Sequence, residues 1–215
     1  MANSKWWSGI TEAIDWGVRA LWASVLWFAF SIAGAGILGV GPATASLAAL
    51  TRNWARGKAD EVRPFKVFWN TVRYDFWRTN GLAWILIGVI GFLVWDTHVS
   101  VAVKRGLLHL AFIPLGVIEV VVIAVSIYVF PLYAHRQMDS LWKYLRLAAL
   151  ACVLNPGRTL IMMAMLYVVL FVLGGVLPFL AVSALMYAMV RLSLAGFDRV
   201  ERLATTQHPS EPPSK

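Results

Sequence analysis

The chain has a single cysteine and few charged residues, and each shortage excludes a class of protein. Cys152 has no second cysteine to pair with, so the chain is not a disulfide-stabilised secreted module. Only 14% of its 215 residues are Asp, Glu, Lys or Arg, which is about half the usual quarter and too few to cover a folded surface in water. This excludes an ordinary cytosolic enzyme domain. A disordered chain is also excluded, because 60% of the residues are hydrophobic.

Acidic residues are the scarcer of the charged types. The chain has 11 Asp and Glu against 19 Lys and Arg, which gives a net charge of +8. A basic chain can indicate nucleic-acid binding. Here, however, the basic residues lie between long apolar runs, as they do in the loops of membrane proteins. We therefore interpret the charge as a topology signal, expect no nucleic-acid partner, and predict that the lipid bilayer is the main one.

Four long runs carry at most one formal charge each: 20–51, 79–95, 106–135 and 159–190. A spanning helix needs about 20 residues, so the first and last runs are too long for one helix. Each contains a Gly/Pro cluster that would end one helix and begin another. The sequence therefore predicts an all-α membrane bundle of six spans. The predicted spans are near 16–37, 42–57, 80–96, 107–134, 157–174 and 177–198.

The basic residues indicate the orientation of these spans. With both termini in the cytoplasm, 17 of the 19 basic residues lie inside, and Lys104 and Arg105 lie outside. The second span is short, because its apolar part, 42–50, is only half a bilayer deep. A re-entrant or interfacial helix is the alternative there, and it gives five spans with the N-terminus outside. A cleaved signal peptide is not favoured, because the apolar stretch is too long for one.

We treat residues 1–203 as one membrane domain and expect the polar, Pro-rich tail 204–215 to be disordered. Three segments, 3–15, 62–79 and 139–155, mix aromatic and basic residues at helical spacing. This is typical of amphipathic helices in the membrane interface, here on the cytoplasmic side. In the middle segment we predict a surface that docks on lipid or a partner. Its residues are Phe65, Lys66, Phe68, Trp69, Arg73 and Phe76.

The glycines before the second span match a nucleotide-binding pattern, but we reject that interpretation. Gly34, Gly36 and Gly39 spell GxGxxG inside an apolar helical run, without the preceding strand that the motif requires. Small residues in such a run favour close helix packing instead. The residues to which we assign that role are Ser31, Ala35, Gly39, Gly41 and Pro42. The chain shows no metal-binding histidine spacing, phosphate-binding loop or nucleophile elbow, so we predict no catalytic residue, cofactor or metal.

Glu119 is the single formal charge deep within a predicted span. An ionised carboxylate in hydrocarbon costs about 2.5 kcal/mol or more, so it should face the bundle, be protonated or meet a partner. One interpretation is a proton-coupling or solute-coupling site. The other places Glu119 near the start of a membrane helix that begins at Pro114, with a hydrogen bond from another span.

Four stretches carry a resemblance to a known family. They are GVGPATASLAALTRNWARG (39–57), FKVFWNTVRYDFWRTN (65–80), YVFPLYAH (128–135) and NPGRTL (155–160). The most specific positions are Gly41, Pro42, Ala43, Thr44, Arg56, Gly57, Phe68, Trp69 and Pro131. In these stretches the chain resembles the bacterial YesL-like integral membrane family, a domain of unknown function, over roughly residues 10–200. The resemblance implies a plasma-membrane protein whose relatives are often encoded beside carbohydrate ABC importers, and it implies no catalytic residue.

From these observations we expect an accessory membrane protein that acts with a carbohydrate ABC uptake system through helix contacts with its permease subunits, without catalysis. The alternative is a small solute transporter or channel with Glu119 in its pathway. At 23.9 kDa such a protein would need to form a homodimer to enclose a path. An enzyme is the third class, but it requires a cluster of titratable groups that the basic loops do not supply.

Overall fold

The computed structural model describes residues 2–102, 110, 112–135, 138, 140–169 and 182–194. These residues are almost entirely helical and contain no strand, which confirms the predicted all-α fold class. The helices are α1 (Ala2–Ala33), α2 (Ile37–Ala55), α3 (Pro64–Tyr74), α4 (Phe76–Ala102), α5 (Phe112–His135), α6 (Leu141–Leu154), α7 (Pro156–Val168) and α8 (Val182–Leu194). The predicted tail 204–215 and the Gly/Pro cluster at 174–178 lie outside the described residues.

Within the described part of the chain, three helices are long and apolar enough to cross a membrane: Ile10–Ala33 within α1, Phe76–Ala102 and Phe112–His135. Among the described residues the count becomes four if the bent pair α6 and α7 forms one span. The exposed side chains of α4 and α5 are largely apolar, including Phe92, Trp95 and Val121. A surface of this kind is stable in lipid rather than in water, so the chain is a membrane protein.

Helix α1 is continuous from Ala2 and has no break at the predicted boundary between an interfacial helix 3–15 and a span from residue 16. The sequence around this boundary contains Gly17 but no proline, and a single glycine does not end a helix. The break lies instead at Gly34–Gly36, where Ala35 has φ 58° and Gly36 has φ 72°. Helix α2 then begins at Ile37 and runs through Gly39, Gly41 and Pro42.

The turn between α1 and α2 depends on small residues. A Cβ atom on Gly39 would collide with the carbonyl oxygens of Phe30 and Ser31, and one on Gly34 would collide with Gly39 itself. Ser31 is buried at the same point. Ser31 and Gly39 therefore lie at a close approach of α1 and α2. Ala35 does not, because it lies exposed in the turn rather than on the predicted helical ridge.

Helix α2 lies at the centre of the described bundle and packs against α1, α3, α4 and α5. One side, with Ala43 and Leu47, joins a core formed with α1 and α3. The other side, with Ala45, joins a core formed by α4, α5 and α6. Short side chains suit this position, because they let four neighbours approach one helix. Pro42 lies inside α2 rather than at its first turn, and its carbonyl accepts a hydrogen bond of 2.7 Å from Ser46 Oγ.

The start of α2 touches the start of α4. A Cβ atom on Gly41 would lie 2.8 Å from Asn80 Oδ1 and 2.9 Å from the Thr79 carbonyl oxygen. In the six-span arrangement these residues lie on opposite membrane faces, about 30 Å apart. This part of the six-span arrangement does not fit the contact, because α2 and α4 begin at the same level. A re-entrant or interfacial α2, the alternative interpretation, satisfies the contact.

Helices α6 and α7 meet at an angle of 104° and form either one broken span or a re-entrant loop. The sequence predicts a cytoplasmic segment, 139–155, followed by a separate span, 157–174. The structure gives α6 a buried face of Tyr144, Ala148 and Ala151, so α6 is part of the bundle rather than only an interfacial helix. Helix α8 packs against α1, where Ser183 Oγ donates a hydrogen bond of 2.8 Å to the Ala20 carbonyl.

Candidate functional site

Helix α3 is the strongest candidate for a binding surface. It begins at Pro64, where a proline is favoured because the first helical position needs no hydrogen-bonded N–H. Phe68 is fully buried in the core formed by α1 and α2, where its ring lies 5.4 Å from that of Phe30. This buried ring fixes α3 to the bundle and sets which of its faces points outward.

The outward face carries a pair of stacked aromatic rings. Phe65 and Trp69 are each more than half exposed, and their ring centroids lie 6.3 Å apart with an interplanar angle of 12°. Phe65 is held from behind by Phe30, at 5.7 Å. Lys66 and Arg73 are exposed beside the rings, and the Arg73 guanidinium lies 5.5 Å from the centroid of the Tyr74 ring. The result is an aromatic and cationic surface on a helix whose position is fixed.

The prediction for α3 needs one correction. The sequence places Phe68 on the docking surface, but its ring is inside the core and cannot touch lipid or a partner. Phe76 is half-buried. Tyr74, at the end of α3, is 73% exposed and was not included in the sequence prediction. Trp77 is 81% exposed but belongs to the first turn of α4. We define the α3 face as Phe65, Lys66, Trp69, Arg73 and Tyr74.

A polar cluster that the sequence did not predict lies beyond the end of α3. The Arg78 guanidinium is 5.7 Å from the Tyr144 ring centroid, and the Tyr144 ring is 5.4 Å from that of Tyr133. The Tyr133 side chain also interacts with the Asp75 side chain. The Met138 N–H donates a hydrogen bond of 2.7 Å to the Tyr144 hydroxyl. These contacts join the start of α4 to the end of α5 and the start of α6.

A second polar junction holds the corner between α6 and α7. The Tyr128 hydroxyl and Thr159 Oγ1 are 2.9 Å apart, and Thr159 Oγ1 also donates to the Asn155 carbonyl at 3.0 Å. Asn155 Nδ2 donates to the Ala151 carbonyl at 3.2 Å, and Arg158 donates to Asn155 Oδ1 at 3.3 Å. Asn155, Thr159 and Tyr128 are all buried. The NPGRTL stretch is therefore a structural corner, and its polar groups are satisfied within the protein.

Glu119 lies two turns inside α5 and is half-buried. No hydrogen bond or ion pair joins it to another of the residues that the structure describes. The predicted hydrogen bond from another span is therefore absent from this part of the chain. The described residues also contain no group of three His, Cys, Asp or Glu side chains that could hold a metal ion.

A family described as "Protein of unknown function, DUF624" matches residues 20–97, which include the C-terminal part of α1, all of α2 and α3, and most of α4. The "Uncharacterized protein YteU" of Bacillus subtilis (strain 168) is 31% identical over 207 residues, covering 94% of this chain and 88% of that protein. The chain belongs to this YesL-like family. Two further members of the family in the same organism, "Uncharacterized protein YesL" and "Uncharacterized protein YesV", are each 28% identical over 199 residues, covering 91% and 89% of this chain and 92% and 95% of the relatives. No solved structure matches the chain.

Proposed function

We propose that this YesL-like protein is an accessory subunit of the bacterial plasma membrane. It binds the permease of a carbohydrate ABC importer through the α3 face and acts by helix contacts, without catalysis. The choice of importer rests on the resemblance to a family whose members are often encoded beside such systems. The choice of surface rests on the structure of α3.

The proposal rests on the aromatic residues of α3, of which one points into the bundle and two lie on its outer side. Phe68 is buried, whereas Phe65 and Trp69 are stacked and exposed on the outer side. Rings that are already held in place lose little conformational entropy on binding. Trp, Tyr and Arg are the residue types that contribute most to protein interfaces. The α3 face presents the first two types as Trp69 and Tyr74, whereas its cations, Lys66 and Arg73, are assigned to anionic lipid headgroups.

The cations of the α3 face support its placement at the cytoplasmic leaflet. Lys66 and Arg73 belong to the group of basic residues between Arg52 and Arg78, and positive residues favour the cytoplasmic side. Anionic headgroups attract such residues by about 1 kcal/mol each.

The C-terminus is cytoplasmic in both span arrangements. The N-terminus is cytoplasmic only with six spans, which the contact between Gly41 and Asn80 argues against.

Copurification of the full-length chain from its native membrane in a mild detergent tests the proposal. Wild-type protein should retain importer subunits, and Trp69→Ala should lose them because packing at the centre of the interface is removed. Lys66→Gln combined with Arg73→Gln should retain them and should lose salt-sensitive association with anionic lipid.

The matched control is Trp142→Ala, which removes an exposed tryptophan from α6 and should leave the importer bound. If Trp69→Ala keeps every importer subunit at wild-type yield, the α3 face is only a membrane contact and the proposal is wrong. Size-exclusion chromatography establishes that each variant remains folded.

A transporter or channel is the second candidate, and the half-buried carboxyl of Glu119 in a candidate span is the observation that favours it. A homodimer would then supply the rest of the pathway. Uptake of solute by purified protein in liposomes separates this candidate from an accessory subunit.

A further inference from the structure

Two arginines lie one above the other at the C-terminal end of helix α2. Arg52 and Arg56 are four residues apart in the sequence, which is about one helical turn, so their side chains leave the helix on the same side. Their guanidinium groups repel each other. Arg56 is exposed, and Gly57, with φ 76°, turns the chain away directly after it. The end of α2 therefore carries two neighbouring positive charges.

These two side chains are not needed to cap the helix. Three of the last four backbone carbonyls of α2 accept hydrogen bonds of 3.0–3.2 Å from backbone N–H groups of the turn that follows. The fourth, the carbonyl of Ala55, accepts a hydrogen bond of 3.4 Å from Arg191 Nη1 of α8. Basic side chains at the end of a helix often have this role. Here Arg191 has it, so capping does not account for Arg52 and Arg56.

No acidic side chain of the described residues forms an ion pair with Arg52 or Arg56. The Asp60 carboxylate, in the loop after α2, is already paired with Arg19 of α1, with 2.6 Å between Asp60 Oδ1 and Arg19 Nη2. Arg52 is half-buried, and its Nε atom is buried without a hydrogen-bond partner. Partly desolvated charges of one sign are costly unless an opposite charge joins them. The partner that this pair lacks is an anion.

We propose that Arg52 and Arg56 bind one phosphate group. Guanidinium groups bind phosphate through paired, charge-assisted hydrogen bonds, and one anion shared by the two arginines offsets their mutual repulsion. The cytoplasmic leaflet offers phosphate as lipid headgroups, and the cytoplasm offers it free. The site contains no residue of the α3 face and does not depend on the proposed function.

Binding of two phosphate probes to the detergent-purified full-length protein tests this site. Dihexanoyl phosphatidylglycerol presents phosphate as an anionic headgroup, sodium phosphate presents it free, and dihexanoyl phosphatidylcholine is the lipid reference without net charge. Microscale thermophoresis, below the critical micelle concentrations of the lipids, measures each dissociation constant. Preferential binding of phosphatidylglycerol without binding of free phosphate would identify a headgroup site. Binding of free phosphate would identify a site for soluble phosphate.

Arg52→Gln and Arg56→Gln should each raise the dissociation constant of the bound probe about fivefold, because each removes one nearby cation. The matched control is Arg146→Gln, which removes an exposed arginine from α6 and should leave the dissociation constant unchanged. Thermal unfolding without probe establishes that each variant is folded. If Arg52→Gln does not fold, Arg56→Gln carries the test, because the Arg56 side chain is exposed.

Two results would overturn the proposal. One is that wild-type protein does not bind free phosphate and binds the two lipids equally well. The other is that the variants in α2 bind the probe as the wild type does, or lose no more affinity than the Arg146 control, because the anion would then respond only to net charge. Loss of the importer after Trp69→Ala has no bearing on these measurements, so this site and the proposed function fail separately.

Discussion

Gly41 of α2 lies so close to Asn80 of α4 that a single added methyl group would stand 2.8 Å from Asn80 Oδ1. The neighbouring contacts are the Thr79 carbonyl oxygen at 2.9 Å and the Ala83 Cβ at 3.1 Å. Two of these three atoms belong to the amide of a buried side chain and to helix backbone, neither of which can move easily. The two helices therefore meet through a glycine, and a larger residue at this position would push them apart.

Gly41→Ala should destabilise the protein. Overpacking a close contact costs about 1–3 kcal/mol, so the thermal midpoint of the detergent-solubilised protein should fall by several degrees. Gly88→Ala in α4 is the matched control, because a Cβ there meets nothing within 4 Å. That variant should be neutral or more stable, since alanine is the better helix former. Equal midpoints for the two variants would show that α2 and α4 do not pack as described.

The same contact predicts which residues share a membrane face. With Cys152 replaced by Ser, single cysteines are placed at Ala35 in the first turn, at Asn70 in α3 and at Ala102 at the end of α4. An impermeant thiol reagent is then applied to intact cells. Ala35 and Asn70 should behave alike and remain unlabelled, and position 102 should react. Labelling of position 35 but not position 70 would restore the six-span arrangement.

Much of the helical framework follows from local sequence, whereas the site depends on contacts between distant segments. Pro64 marks the start of α3 because proline has a local preference for that position. Spacing alone places Phe65, Phe68 and Trp69 on one stripe, and only the position of α1 and α2 shows that Phe68 is the buried member. The cluster of Arg78, Tyr133 and Tyr144 joins residues far apart in the chain, so no local pattern could predict it.

Two substitutions at the corner between α6 and α7 should lower the free energy of unfolding by different amounts. Tyr128→Phe removes one hydroxyl and leaves Thr159 bonded to the Asn155 carbonyl, so the cost should be about 0.5–1.5 kcal/mol. Thr159→Val leaves the buried Tyr128 hydroxyl without that partner, and the cost should be about 1–3 kcal/mol. The double variant should be less destabilised than the sum of the two, which thermal unfolding of all four proteins measures.

Glu119→Gln decides between the two candidate functions. The variant should fold like the wild type, because no described hydrogen bond or ion pair depends on the carboxylate. If the protein is an accessory subunit, wild-type protein reconstituted alone in liposomes should take up no solute in response to a proton gradient, and the substitution should change nothing. A transporter should instead show uptake with wild-type protein that Glu119→Gln abolishes. Glu119→Asp, which keeps the ionisable group, should restore part of that uptake. If the wild type takes up solute, the Gln variant loses this uptake and the Asp variant regains part of it, the protein is a proton-coupled transporter and not an accessory subunit.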